Sequence, residues 1–89
     1  VERDMSIQID ESVSFEAIQS LILTCNTEGY IQDVKLFDRF KKSEMGREHA
    51  IGIRLKLQRA DKTLTDFEID TVMQRVIEKL KQEHACTLR

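Results

Sequence analysis

Apolar and polar residues alternate with a period of two near the start of the chain, Met5, Ile7 and Ile9 against Asp4, Ser6, Gln8 and Asp10. The pattern predicts a half-buried strand. A polar break at Asp10-Glu11-Ser12 follows, and the period then changes. Phe15, Ile18, Leu21, Ile22 and Cys25 recur at helical spacing, with Ser14 placed to cap the helix and Glu16 in its electropositive first turn. Asn26 to Gly29 ends that helix. From Tyr30 to Phe40 a second strand is predicted, with Val34 and Leu36 facing one way and Lys35, Phe37 and Arg39 the other. The same parity puts Asp38 on the core-facing side, as a hydrogen-bonded structural group at the strand end. Lys41 to Gly46 reads as a polar hairpin loop. Ile51, Ile53, Leu55 and Leu57 then alternate with Gly52, Arg54, Lys56 and Gln58, the clearest strand signal in the chain.

The second helix has a full set of start signals. Thr65 is the expected N-cap, Glu68 completes a capping box, and Leu64 and Ile69 form the apolar pair that staples the first turn. Ile69, Val72, Met73, Val76, Ile77 and Leu80 make the buried stripe, with Lys79 and Lys81 near the end that favours cations. A short final strand is expected from Ala85 to Arg89. The order strand, helix, strand, strand, helix, strand predicts an α+β, ferredoxin-like βαββαβ fold. Right-handed crossovers put both helices on one face of a four-stranded antiparallel sheet, and the other face stays open.

Composition adds limits. Eighty-nine residues suffice for one domain, taken as 1–89, and not for two. The opening Val1-Glu2-Arg3-Asp4 is neither an initiator Met nor a signal peptide, and the chain reads as a piece of a longer polypeptide. No apolar run approaches the ~20 residues of a membrane helix, so no membrane partner is expected. Cys25 and Cys86 form no metal motif and are expected as reduced, apolar-like thiols. The net charge is −2 but it is unevenly spread: residues 1–34 carry one basic group and seven acids, and residues 35–62 carry nine and four. A basic middle segment sits on an acidic body.

By alternation the open face carries Ser6 and Gln8, then Lys35, Phe37 and Arg39, then Arg54, Lys56 and Gln58, then Thr87 and Arg89. Cations there can take RNA phosphates, and the ring can stack on an unpaired base. The alternatives are a solvated strand face kept soluble by its charges, or a Phe37 covered by a neighbouring domain. Lys41, Lys42 and Arg47 could lengthen the positive track, with Glu44 and Glu48 diluting it. His49 and His84 have no metal-ligand spacing and read as surface or strand-edge residues. No nucleophile elbow, Walker loop or paired-acid site occurs, so no catalytic residue is expected.

Val1-Glu2-Arg3-Asp4-Met5-Ser6, Val34-Lys35-Leu36-Phe37-Asp38, Thr63-Leu64-Thr65-Asp66-Phe67-Glu68-Ile69 and Leu88-Arg89 stand in the order seen in a known family. Over nearly its whole length the chain resembles the ferredoxin-fold anticodon-binding domain that closes the β subunit of bacterial phenylalanine–tRNA ligase. The resemblance implies a cytoplasmic parent enzyme of α2β2 form, using ATP and magnesium, with aminoacylation on the α subunit. It implies a partner, the anticodon stem and loop of tRNA(Phe), alongside the other domains of the β subunit. No cofactor is implied in this domain. Two departures stand out: His49-Ala50 replaces a basic residue followed by serine, and Lys41-Lys42 replaces a glycine after the second strand. The RNA-binding residues expected are Ser6, Lys35, Phe37, Arg39, Arg54, Lys56 and Arg89. The alternative is a ferredoxin-like regulatory domain for a small molecule, although its first-strand loop, Asp10 to Val13, lacks the glycine such domains favour. An acylphosphatase-like enzyme would need an arginine near the end of the first strand, and Arg3 precedes it.

Overall fold

The computed structural model describes residues 1–41, 44 and 46–88. Six elements follow in the predicted order: β1 (Glu2–Asp10), α1 (Phe15–Thr24), β2 (Ile31–Phe40), β3 (Glu48–Leu57), α2 (Asp66–His84) and β4 (Thr87–Leu88). The strands form one antiparallel sheet in the order β2-β3-β1-β4. Both helices cover the same side of it, a ferredoxin-like α+β arrangement.

Local chemistry sets the helix ends. Ser14 Oγ accepts from the Ala17 N–H at 3.1 Å, which starts α1 where the sequence pattern placed it. The capping box of α2 closes in both directions: Glu68 N–H donates to Thr65 Oγ1, and Thr65 N–H donates to Glu68 Oε1. Asn26 links the end of α1 to β2 by accepting from Ile31 N–H at 2.9 Å and donating to Ile31 O at 3.0 Å. Ala85 ends α2 in the left-handed region, at φ 52°, where glycine is the usual residue.

The core lies between sheet and helices. Met5, Ile7 and Ile9 of β1 and Ile51, Ile53, Leu55 and Leu57 of β3 meet Ile18 and Ile22 of α1 and Ile69, Val72, Val76 and Leu80 of α2, all of them buried. Each such side chain adds ~1.5–3 kcal/mol relative to exposure. Arg75 of α2 ties the helix layer to the turn before β2 through paired hydrogen bonds to Glu28 at 2.6 and 3.0 Å. The guanidinium and the Thr27 hydroxyl pull the Glu28 carboxyl down to about 2. Both cysteines are buried and unbridged. No helix among the described residues is long and apolar enough to cross a membrane.

Two expectations need correction. His49 is buried, at 6% exposure, because it takes a core-facing position on β3 opposite Ile9. Parity along β2 also fails after Leu36. The β2–β3 register slips between Leu36 and Asp38, so two residues of β2 span one step of β3. The extra residue reverses the faces beyond it. Asp38 therefore pairs with Gly52 and Phe40 with Ala50, outward-facing positions of β3, whereas Arg39 pairs with Ile51 and turns toward the helices.

Candidate nucleic-acid interface

The open face is built around β3. Its outward positions are Glu48, Ala50, Gly52, Arg54 and Lys56, and the two in its middle, Ala50 and Gly52, carry almost no side chain. That bare track gives the aromatic residues of the edge strand β2 somewhere to lie. A Cβ placed on Gly52 would come within 2.7 Å of Phe37 Cζ and 3.1 Å of both Cε atoms. The ring tip meets the backbone at a distance that only glycine allows. Arg54 covers the ring, its guanidinium carbon 4.9 Å from the centroid, in a cation–π contact. Phe37 remains 47% exposed.

Arg54 is also held from the other side. Its Nε donates to Asp4 Oδ1 at 2.9 Å and its Nη2 to Asp4 Oδ2 at 3.1 Å, a bidentate pair across the β1–β3 ladder. The hydrogen bonds lower the Asp4 carboxyl below the usual range and raise the guanidinium. Lys35 lies opposite Arg54, with its Nζ 3.6 Å from Asp33. Lys56 sits between Glu2 and Asp33 in the register, yet it is exposed and makes no ion pair among the described residues. Ser6 faces Gly52 from β1 and is half-buried.

Of the expected residues, the fold thus gathers Ser6, Lys35, Phe37, Arg54 and Lys56 on one surface. Arg39 is not among them; the β2 slip takes it to the helix side. Arg89 lies outside the described residues, as does Lys42 of the hairpin. Lys41 is bound to Glu11 at 2.5 Å, so its charge is locally neutralised. The expected strongly cationic face is also corrected. Glu2, Asp4, Asp10, Asp33, Asp38 and Glu48 share it by register, and three described cations face six acids. The surface is a ring-bearing platform of mixed charge, with Lys56 as its most available cation.

Alternation missed Phe40, Asp38 and Asp4. Asp4 was readable, since it shares parity with Ser6 and Gln8. Phe40 and Asp38 were not, because nothing in the local pattern of apolar residues marks the register slip. Asp38 Oδ1 accepts from the Arg39 N–H at 2.9 Å, a local bond of the kind that accompanies an irregular strand. Among the described residues no group of three His, Cys, Asp or Glu side chains is placed to hold a metal.

A family model described as "Ferredoxin-fold anticodon binding domain" matches residues 1–89. The chain is 32% identical over 98 residues to the phenylalanine–tRNA ligase beta subunit of Cereibacter sphaeroides, with 100% of this chain and 12% of that protein covered. It is 33% identical over 89 residues to the same subunit of Haemophilus ducreyi, covering 98% and 11%. With the subunit of Clostridium tetani the identity is 31% over 91 residues, covering 100% and 11%. The chain spans about a tenth of the length of these relatives.

Proposed function

The chain belongs to the family of ferredoxin-fold anticodon-binding domains, and from that premise we propose that it is the tRNA-holding module of a phenylalanine–tRNA ligase β subunit. In this reading residues 1–89 are one domain of a longer protein. It grips the anticodon stem and loop of tRNA(Phe) and orients the molecule for aminoacylation at a distant α-subunit site. ATP and magnesium serve the parent enzyme there and have no role here. The parent is an α2β2 assembly of the cytoplasm.

The observation that carries the reading is the half-exposed Phe37 ring, its tip on Gly52 and one face under Arg54. A ring fixed on both sides has lost its rotamer freedom before RNA arrives, so stacking on an unpaired base costs little further entropy. Phe40 adds a second aromatic surface on the same face. Asp38, between them, can only accept hydrogen bonds, which suits the amino and imino donors on a base edge and not phosphate. Lys56 and Lys35 take the backbone phosphates. Arg54 acts mainly by positioning Phe37, because Asp4 already occupies its charge. Nothing in this scheme reacts: the domain contributes binding energy that places the acceptor end elsewhere.

The test is tRNA(Phe) binding measured across a range of salt concentrations. Phe37→Ala should weaken binding by about tenfold or more, in line with the ~1–3 kcal/mol of a base–ring stack. Lys56→Glu should weaken it and reduce the slope of log K against log salt by ~1. Unaltered affinity and slope in both variants would remove the sheet face from consideration.

A further inference from the structure

The register slip that takes Arg39 away from the open face delivers it to a cleft of about 120 Å³ beside the start of α1. Phe15, Ile18, Leu36 and Ile51 line it with apolar surface, and Arg39, His49, Glu11 and Ser14 line it with polar groups. His49 is 6% exposed, and no residue among those described bonds its imidazole. Its nitrogens are not sealed off, since no buried side-chain nitrogen or oxygen lacks a partner. They reach accessible space, and His49 is one of the residues that line the cleft. An imidazole with no protein partner and nitrogens open to accessible space can exchange water for a ligand held in the cleft.

The surrounding charges specify its kind. Arg39 makes no ion pair among the described residues, whereas the neighbouring Glu11 is taken by Lys41. The N-terminus of α1, capped by Ser14, adds positive potential. Burial and then Arg39 hold the His49 pKa below its ordinary value, with Lys41 adding to this and Glu11 and Asp10 opposing. The imidazole is therefore neutral near pH 7 and has one N–H to donate. A single guanidinium without an ion pair among the described residues, in a cleft that the Glu11 carboxylate also lines, suits a monoanion and disfavours a phosphate dianion. The apolar lining calls for a ligand with a carbon stem.

We propose that this cleft binds a small carboxylic acid, its short apolar tail against Phe15, Ile18, Leu36 and Ile51, its carboxylate on Arg39, and His49 donating to the same carboxylate. The site lies on the opposite side of the sheet from the RNA platform and stands or falls independently of it.

The experiment follows the His49 and His84 imidazole signals of the 89-residue chain by 1H–15N NMR. The probes are 3-methylbutanoate, the equally shaped neutral 3-methylbutanamide, and inorganic phosphate. The acid should give a saturable shift at His49 alone and raise the His49 pKa, because an adjacent anion favours the imidazolium. Arg39→Gln, checked for an unchanged melting temperature, should lose about tenfold or more of that affinity. The proposal is overturned by no saturable shift, by an equal response to the amide, by tighter binding of phosphate, or by undiminished binding in Arg39→Gln. Parallel shifts at His49 and His84 would likewise reduce the effect to non-specific salt and overturn it.

Discussion

The two strands flanking β3 follow it in different ways. β1 matches it residue for residue from Glu2↔Lys56 to Asp10↔Glu48, while β2 slips twice, between Ile31 and Asp33 and between Leu36 and Asp38. β1 lies inside the sheet, held on its far side by β4; β2 is the edge strand, with no strand beyond it among the described residues. A strand bonded on both sides cannot gain a residue without breaking two ladders, whereas an edge strand breaks only one. The regular flank buries Met5, Ile7 and Ile9; the irregular flank adds Ile31 and Val34 to the core in its first half and carries the exposed rings Phe37 and Phe40 in its second. In the proposed reading, recognition falls to the irregular half of β2.

The comparison breaks most sharply at Ile53, whose partners are Met5 on the regular side and Leu36 on the irregular side. Met5 is 6% exposed and Leu36 40%. Met5→Ala should cost about 2–5 kcal/mol by urea denaturation, the range for emptying a buried site. Leu36→Ala should cost about 1–2 kcal/mol, because much of that side chain is already in water. Equal losses would mean that the β2 flank is as much a part of the core as β1.

The second break concerns charge. If the slip at Leu36–Asp38 divides β2 into two faces, then charge reversal on either side of it must have different consequences for RNA. Lys56→Glu should weaken tRNA(Phe) binding by about tenfold at moderate salt, and Arg39→Glu should leave it within about twofold. A large loss from Arg39→Glu would show that RNA wraps around the β2 edge, or that the slip is absent in solution.

The sequence made most of the scaffold legible. Strict alternation in Met5–Ile9 and Ile51–Leu57, the helical stripe from Ile69 to Leu80, and the Thr65/Glu68 box each carry a signal several residues long, and each element formed where that signal put it. The platform was legible only in part. Phe37, Lys35, Arg54 and Lys56 were found by parity, yet parity is a chain of inferences in which one extra residue inverts all that follows. Arg39, Asp38 and Phe40 lie beyond that residue. Gly52 was a readable hint, since a glycine inside a strand marks a bulge or a close approach. His49 escaped for another reason: a histidine in an alternating run can take a core position, and pattern alone does not tell a buried imidazole from an edge one. The mixed charge of the face was available in the parity of Glu2 and Asp4, but counting only cations concealed it.

His49, opposite Ile9 of the regular flank, gives β3 a pH signature. Burial lowers its pKa in the folded protein below the ordinary 6.5. Under acid the unfolded chain then binds a proton that the folded chain resists, so stability rises with pH across this interval. Its contribution is complete above 6.5 and is lost as pH falls toward the folded value. His49→Leu should flatten this part of the profile relative to the unsubstituted chain, read as the difference in urea midpoints at pH 7.5 and 5.5. If the two profiles remain parallel, the imidazole is not held neutral by its surroundings.

The smallest effect on stability should come from Gly52→Ala, and it tests the link between the flanks most directly. Alanine at a strand-interior glycine gains roughly 0.5–1 kcal/mol from reduced freedom of the unfolded chain. Against this, the new methyl would meet the Phe37 ring tip at 2.7 Å, and the ring must move. The ring is half-exposed and can swing outward, so the two effects should cancel to within about 0.5 kcal/mol in a melt. Recognition has no such compensation. Once displaced, the ring leaves Arg54, regains rotamer freedom and presents a different plane to an incoming base, and tRNA(Phe) affinity should fall several-fold. A stable, well-folded Gly52→Ala chain with weakened binding would separate the glycine's role in the platform from any role in the core. Full binding would mean that the base reaches Phe37 in whatever pose it adopts, and pre-positioning by Gly52 and Arg54 would then be irrelevant.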